Sequence, residues 1–382
     1  MLKKSGTYLS KGGFTAKQKN NKIKRIGILT AGGDCPGLNV VIRAVVKIAV
    51  DAYKMKVVGF LDGFGGLIHD KAVMLKSRNV SGILSVGGTI LGTSNIANPY
   101  KYSVEERGKI ICKDVSGQAI KNYKKHNLDA LITVGGDGTL TIASKLAESG
   151  LNIVGVPKTI DNDLSGTDLT FGFDSAIVTA TEAIDKLHST AQSHHRVMVV
   201  EVMGRYAGWI ALYSGVAGGG DVILIPEIPY DIGKVCKKLD ERAMSGKRFS
   251  IVVVAEGARP VGGEMTVRRI VETSPDKIRL GGVANRLAEQ VEKATHLETR
   301  ATILGHVQRG GIPTPFDRIL ATRYGSEAVT MVLEKKFGRM VALRGNRMTD
   351  IPINKAIGKL KTVSPDMPLV RYTKLMGIGF GD

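Results

Sequence analysis

The segment "LDALITVGGDGTLTIASKLAES", Leu128 to Ser149, constrains the fold most tightly. A continuous apolar run stops at paired glycines and gives way to residues at helical spacing. The layout recurs in "IKRIGILTAGGD" followed by "NVVIRAVVKIAV", in "KVVGFLDGFGG" and in "LNIVGVPKTIDND". The runs "HRVMVVEVMGRYAG", "VILIPE" and "SIVVVAEGAR" continue the series. Strands that are apolar along their whole length are buried on both faces. Their alternation with helices predicts mostly parallel sheets with helical crossovers. Ligands of such sheets collect beyond the carboxyl ends of the strands, where every glycine or charge cluster of this chain falls.

A chain of 382 residues exceeds the size at which one core usually stops growing, so two domains are expected. A helical pattern opening at Phe173 puts the boundary near Gly172. The expected fold class is α/β, with two mostly parallel sheets, each flanked by helices, and the active site in the cleft between them. Residues 25–172 with about 308–355 are assigned to one domain, and 173–307 with about 356–382 to the other. Residues 1–24 read as a polar, basic and flexible tail. No apolar stretch is long enough for a membrane span. Three cysteines (Cys35, Cys112, Cys236) in no recognisable spacing argue against a disulfide framework or a zinc site. A cytoplasmic protein with no membrane partner is the natural reading.

The net charge of +19 invites a nucleic-acid hypothesis. Its placement weakens that idea: seven Lys and one Arg, with no acid, lie in the first 25 residues, leaving +11 for the rest. The remaining excess suits an enzyme that handles anionic substrates, whose local concentration such a field raises.

Two glycine clusters have the form of anion cradles. "VGGDGT", Val134 to Thr139, and "TAGGDCPGLN", Thr30 to Asn39, each follow a strand and open a helix. Glycine lets backbone N–H groups approach a phosphate, and a helix N-terminus adds partial positive charge. A tight strand-to-helix turn would use the same residues. Neither cluster ends in the Lys-Ser/Thr of a Walker loop, and neither fits G-x-G-x-x-G.

"VPKTIDND" places Asp161 and Asp163 two residues apart after Lys158 and Thr159. Like charges this close call for a nearby cation. A calcium loop beginning at Asp161 would need a bidentate Glu at its twelfth position, which is Gly172. A solvated turn stays open. The functional alternative has Asp137 and Asp163 serving a phosphate-bridging magnesium ion while Asp161 accepts a proton from a substrate hydroxyl, as phosphoryl transfer requires. Arg196, Arg205, Arg300 and Arg309 adjoin apolar runs or sit in glycine turns, where their forks suit phosphate.

Six ordered segments, "GILTAGGDCPGLN", "VGGDGT", "PKTIDND", "EVMGRYAG", "VAEG" and "TRATILGHVQRGG", closely resemble the 6-phosphofructokinase family, over roughly Ile26 to Arg323. The resemblance implies a two-domain, magnesium-dependent kinase that transfers a phosphoryl group from ATP to the 1-hydroxyl of fructose 6-phosphate, the committing step of glycolysis. By position, Asp161 is the general base, with Thr159 and Arg205 at the reacting centre. Arg196, Met203, Gly204, Arg205, Glu256, Arg300, His306 and Arg309 take the sugar phosphate. Gly33, Phe64, Gly136, Asp137, Gly138, Thr139 and Lys158 belong with the nucleotide, and Asp137 and Asp163 with the metal. Arg196 and Arg300 would reach in from a neighbouring subunit of a homotetramer, a homodimer being the alternative.

Two departures bear on the phosphoryl donor. Lys158 stands where many bacterial ATP-using members have glycine, and resembles the pyrophosphate-using and mixed-substrate branch and also plant ATP-using members. Gly138 stands where pyrophosphate users carry a second aspartate. A side chain there would fill the space of a nucleotide's α-phosphate, so ATP is expected, with pyrophosphate the rival. A non-catalytic sugar-phosphate sensor is the distant alternative. Asp137, Asp161 and Asp163 speak against it, because a sensor needs no base.

Overall fold

The computed structural model describes residues 23–106, 108–271 and 278–382. The basic tail expected over residues 1–24 lies almost wholly outside the described residues.

Two sheets organise the chain. The larger has seven strands in the order Arg347–Pro352, Arg339–Arg344, Ile153–Pro157, Ala130–Gly135, Arg25–Thr30, Lys56–Phe60, Ala72–Leu75. Its central strands are parallel. The two outermost pairings are antiparallel, which the expectation of a mostly parallel sheet allowed without locating. The smaller sheet has four parallel strands in the order Thr299–Ile303, Val197–Val202, Ser250–Ala255, Val222–Leu224. Burial explains the continuous apolar runs: Ala130–Gly135, Ile153–Pro157, Val197–Val202 and Ser250–Ala255 are buried at every position.

Strand order decides where ligands can enter. In the larger sheet Arg25–Thr30 lies between Lys56–Phe60 and Ala130–Gly135, so the winding reverses there. A crevice opens beyond the carboxyl ends at such a reversal. Both glycine clusters end strands that border it.

Late segments return to both sheets. Residues 339–352 form one edge of the larger sheet. Gly379 pairs with Val222 of the smaller one. The long helices Phe173–His194 and Pro315–Leu333 are joined at their N-termini. The Asp317 carboxylate there accepts from Ser175 N (2.8 Å) and Ser175 Oγ (2.6 Å), and Thr314 Oγ1 donates to Asp174 (2.6 Å). No helix among the described residues is long and apolar enough to cross a membrane.

Candidate active site

The first glycine cluster is held from three sides. Gly32 N donates to Ser94 O (3.0 Å), and Thr93 Oγ1 donates to Gly32 O (2.7 Å). Lys158, 4% exposed, donates its ammonium to the Gly33 carbonyl. Burial pushes the Lys158 pKa down. A Cβ on Gly33 would lie 2.3 Å from Arg309 Nη1, so only glycine admits the guanidinium at this distance. Arg309, expected at the sugar 6-phosphate, therefore lies against the donor loop, and its buried Nε lacks a hydrogen-bond partner among the described residues.

The second cluster opens the helix Asp137–Glu148, with Gly136 at its N-cap. Thr139 is buried, its hydroxyl near Gly32 and Gly135. A Cβ on Gly138 would meet nothing within 4 Å, so its side is open space. Asp137 Oδ1 accepts from Gly358 N at 2.8 Å. Phe64 does not fit its expected nucleotide-lining place. It is 1% exposed and packs in the core with Leu29, Ala31 and Leu67, where burial stabilises a large ring more than a loop surface does.

Past Pro157 the chain turns through the acidic loop. Asn162 lies between the two aspartates in the left-handed region, φ 50°, a conformation few non-glycine residues adopt and one that clusters at functional sites. Asp161 N donates to Thr159 Oγ1 at 3.0 Å, and Thr170 Oγ1 fastens the Thr159 carbonyl at 2.7 Å. Asp161 is 6% exposed, and its buried Oδ1 lacks a hydrogen-bond partner among the described residues. Burial raises the Asp161 pKa, against the pull of Arg309, Arg205 and Lys158. Asp163 is pushed up to about 7 by burial and by the Asp161 charge. Two crowded, desolvated carboxylates are what a divalent cation relieves. Asp137 and Asp163 follow adjacent strands paired at Gly135 and Pro157, so both stand at one end of the sheet. Among the described residues no group of three or more His, Cys, Asp or Glu could hold a metal. Magnesium bound through substrate phosphates asks for only one or two carboxylates, so the pair fits that ion.

The acceptor side comes from the smaller sheet. Met203 and Gly204 follow Val197–Val202, Glu256 follows Ser250–Ala255, and His306 sits in the short helix Gly305–Arg309 beyond Thr299–Ile303. Gln308 binds that helix to the first of these turns, accepting from Met203 N at 3.3 Å. Arg205 takes a left-handed backbone, φ 51°, with its N–H on Glu256 Oε1 at 3.0 Å. Burial and the Asp161 charge raise the Glu256 pKa to about 7. Met203, Glu256 and His306 line a cavity of about 610 Å³.

Arg196 and Arg300 are not brought into this group. Both stand at the amino end of the smaller sheet, paired to Glu298 at 2.7 and 2.5 Å. The strand Val197–Val202 separates them from Met203 by roughly 20 Å at strand rise. They are placed for another chain's cleft or for none.

Sequence reasoning missed one residue that spans the site. Lys361 Nζ donates to Asn162 Oδ1 (2.9 Å), Thr167 O (3.0 Å) and Asp168 O (2.8 Å). Its backbone N–H donates to Asp163 O (2.8 Å), and its carbonyl accepts from Trp209 Nε1 (2.7 Å). With Gly358 on Asp137, and Val363 N on Glu227 at 2.8 Å, residues 358–363 form a strap from the donor side to the acceptor side. The sequence offers only two lysines, Lys359 and Lys361, in a short loop-like run, a pattern many surfaces share.

The model of the phosphofructokinase family matches residues 25–332. ATP-dependent 6-phosphofructokinase 2 of Clostridium perfringens is 54% identical over 94% of this chain and 99% of its own length. ATP-dependent 6-phosphofructokinase of Spirochaeta thermophila is 48% identical over 95% of this chain and 99% of its own. Among solved structures, phosphofructokinase from Saccharomyces cerevisiae superposes with a TM-score of 0.72 at 33% identity, over 87% of this chain and 45% of that one. A chain matched over this span, with the donor loops, acidic turn and acceptor turns placed as above, belongs to the phosphofructokinase family.

Proposed function

We infer that this protein transfers a phosphoryl group from ATP to the 1-hydroxyl of fructose 6-phosphate, giving fructose 1,6-bisphosphate and ADP. Asp161 carries the inference. It is a buried carboxylate with an unsatisfied oxygen, set between donor loops rich in backbone N–H and cations and a cavity built on Glu256 and Met203. A desolvated carboxylate of raised pKa suits a base that takes a hydroxyl proton at neutral pH.

The other roles follow from position. Thr159 Oγ1 accepts from Asp161 N, so its own proton can turn toward a phosphoryl oxygen. Lys158 and Arg309, packed on Gly33, offer positive charge where the transferred group carries negative charge. The backbone contact with Glu256 holds Arg205 beside the reacting centre, while Glu256 takes sugar hydroxyls. Magnesium, held through Asp137 and Asp163, would neutralise charge on the bridging phosphates. Met203, Gly204 and His306 shape the acceptor side. We place two domains on the two sheets, the enzyme in the cytoplasm, and Arg196 and Arg300 at a subunit boundary of a homotetramer.

The donor is decided at Gly138, whose open side leaves room for a nucleotide α-phosphate. Initial rates with fructose 6-phosphate, magnesium and either ATP or pyrophosphate test this. ATP should support turnover and Gly138→Asp should abolish it. Much faster turnover of the unmodified protein with pyrophosphate at matched concentration would overturn ATP as donor.

A further inference from the structure

The acceptor turn and the strap meet at the N-terminus of the helix Trp209–Ala217. Ala207 N donates to Gly204 O (2.9 Å), so the tight turn that carries Arg205 runs directly into Gly208 and this helix. Glu227, half-buried just beyond the strand Val222–Leu224, turns its carboxylate onto the same point. Its two oxygens accept from Gly208 N (3.0 and 3.1 Å), and Oε1 also accepts from Val363 N (2.8 Å) in the strap. A Cβ on Gly208 would lie 2.4 Å from Ile225 Cβ and 2.8 Å from Glu227 Oε2, so only glycine admits the carboxylate this closely.

A second bond fixes the junction. Trp209 Nε1 donates to Lys361 O (2.7 Å), and Lys361 Nζ lies 5.7 Å from the centre of the Trp209 ring. From there the strap reaches the acidic loop, through Lys361 N on Asp163 O (2.8 Å), and the donor side, through Gly358 N on Asp137 (2.8 Å). The acceptor turn follows a strand of the smaller sheet, and the acidic loop follows a strand of the larger one. One carboxylate therefore ties a turn of one sheet to a loop of the other. Neither Gly208 nor Val363 is expected to touch a substrate, so Glu227 acts through the segments it holds.

We propose that Glu227 is a positioning residue for phosphoryl transfer: through Gly208 and Val363 it sets the loop of Asp161 and Asp163 against the acceptor turn. The proposal deepens the kinase reading above and rests on it. A misplacement of about an ångström at a reacting centre costs up to about a hundredfold in rate. Substrate affinity comes from other side chains, so the loss belongs in kcat and not in KM.

Trp209 is the one tryptophan of the chain, so its emission reports the junction directly. The full-length protein is compared with Glu227→Ala, Glu227→Gln, Lys361→Met and the double variant Glu227→Ala/Lys361→Met. Glu227→Ala should lower kcat by roughly 10- to 100-fold, with KM for fructose 6-phosphate and for ATP changed by less than about threefold. Its Trp209 emission should shift to the red as the indole leaves the Lys361 carbonyl and meets water. Glu227→Gln keeps the shape and one acceptor oxygen but loses the charge, and kcat should fall by only about three- to tenfold. Both residues act through one strap, so the double variant should fall below the poorer single variant by no more than about threefold. The coupling is overturned if either Glu227 variant keeps wild-type kcat, if the loss falls on KM instead, if the emission of Glu227→Ala is unchanged, or if the two losses multiply in the double variant. Should Glu227→Ala not fold, the kcat of Glu227→Gln decides alone. An unmodified protein that fails to phosphorylate fructose 6-phosphate would instead defeat the kinase reading, and the emission of Trp209 still reports whether Glu227 holds the strap.

Discussion

Asp161 shows how one residue separates stability from activity. Its buried, unsatisfied oxygen costs folding free energy on the order of 1–3 kcal/mol, and a smaller neutral group there would relieve much of it. Asp161→Ser should therefore cut turnover by roughly 10²- to 10⁴-fold, the usual worth of a positioned base. Its thermal midpoint should match or exceed that of wild type. Near-wild-type turnover would remove Asp161 from the chemistry. The carboxylates were legible in "TIDND" because their spacing demanded a cation. Their crowding by Glu256 was not, since Glu256 arrives on a strand of the other sheet and no local pattern announces that approach.

At the scale of elements, the strap of residues 358–363 is the connection most exposed to test. Lys361 alone offers three donors to acceptors around the acidic loop while its main chain reaches Asp163 and Trp209. Lys361→Met keeps the length of the side chain and removes those donors. The loop should then lose its fixed placement, and turnover should fall by roughly 10- to 100-fold, because small misplacements near a reacting centre carry that penalty. KM for both substrates should change little. A loss in thermal midpoint with unchanged kcat would make the strap structural only. The strand–glycine–helix units were readable because hydrophobic period and glycine punctuation are local. The strap was not, since its meaning comes from where a distant segment comes to rest. "GKLKTVSP" has no period that distinguishes it from a surface loop.

Whole-molecule architecture decides what Arg196 and Arg300 do. Their place at the amino end of the smaller sheet excludes the cleft of their own chain. Chains carrying Asp161→Ser and chains carrying Arg300→Ala should each be nearly inactive. Mixed and reassembled, they should regain activity, because some interfaces then combine an intact base from one chain with intact arginines from the other. No recovery in verified mixed oligomers would dispose of shared sites.

The same crowding of buried carboxylates predicts how the whole fold responds to pH. Burial raises Asp163 and Glu256 to about 7 and Asp317 to about 6, whereas in an unfolded chain such groups titrate near 4. Between about pH 4 and 7 the folded protein therefore binds more protons than the unfolded chain, so stability falls as pH rises through that window. Carboxylates held low by ion pairs, such as Asp70 and Glu298, act in the opposite sense, but below that window. The ligand-free protein should accordingly melt higher at pH 6 than at pH 8. Magnesium together with a non-hydrolysable ATP analogue should shrink or reverse the difference, because a cation at Asp163 favours the charged form that bare burial penalises. Melting curves at both pH values, with and without the ligand pair, read this directly. A midpoint that rises from pH 6 to 8 in the ligand-free protein would show that ionised, paired carboxylates govern its stability instead.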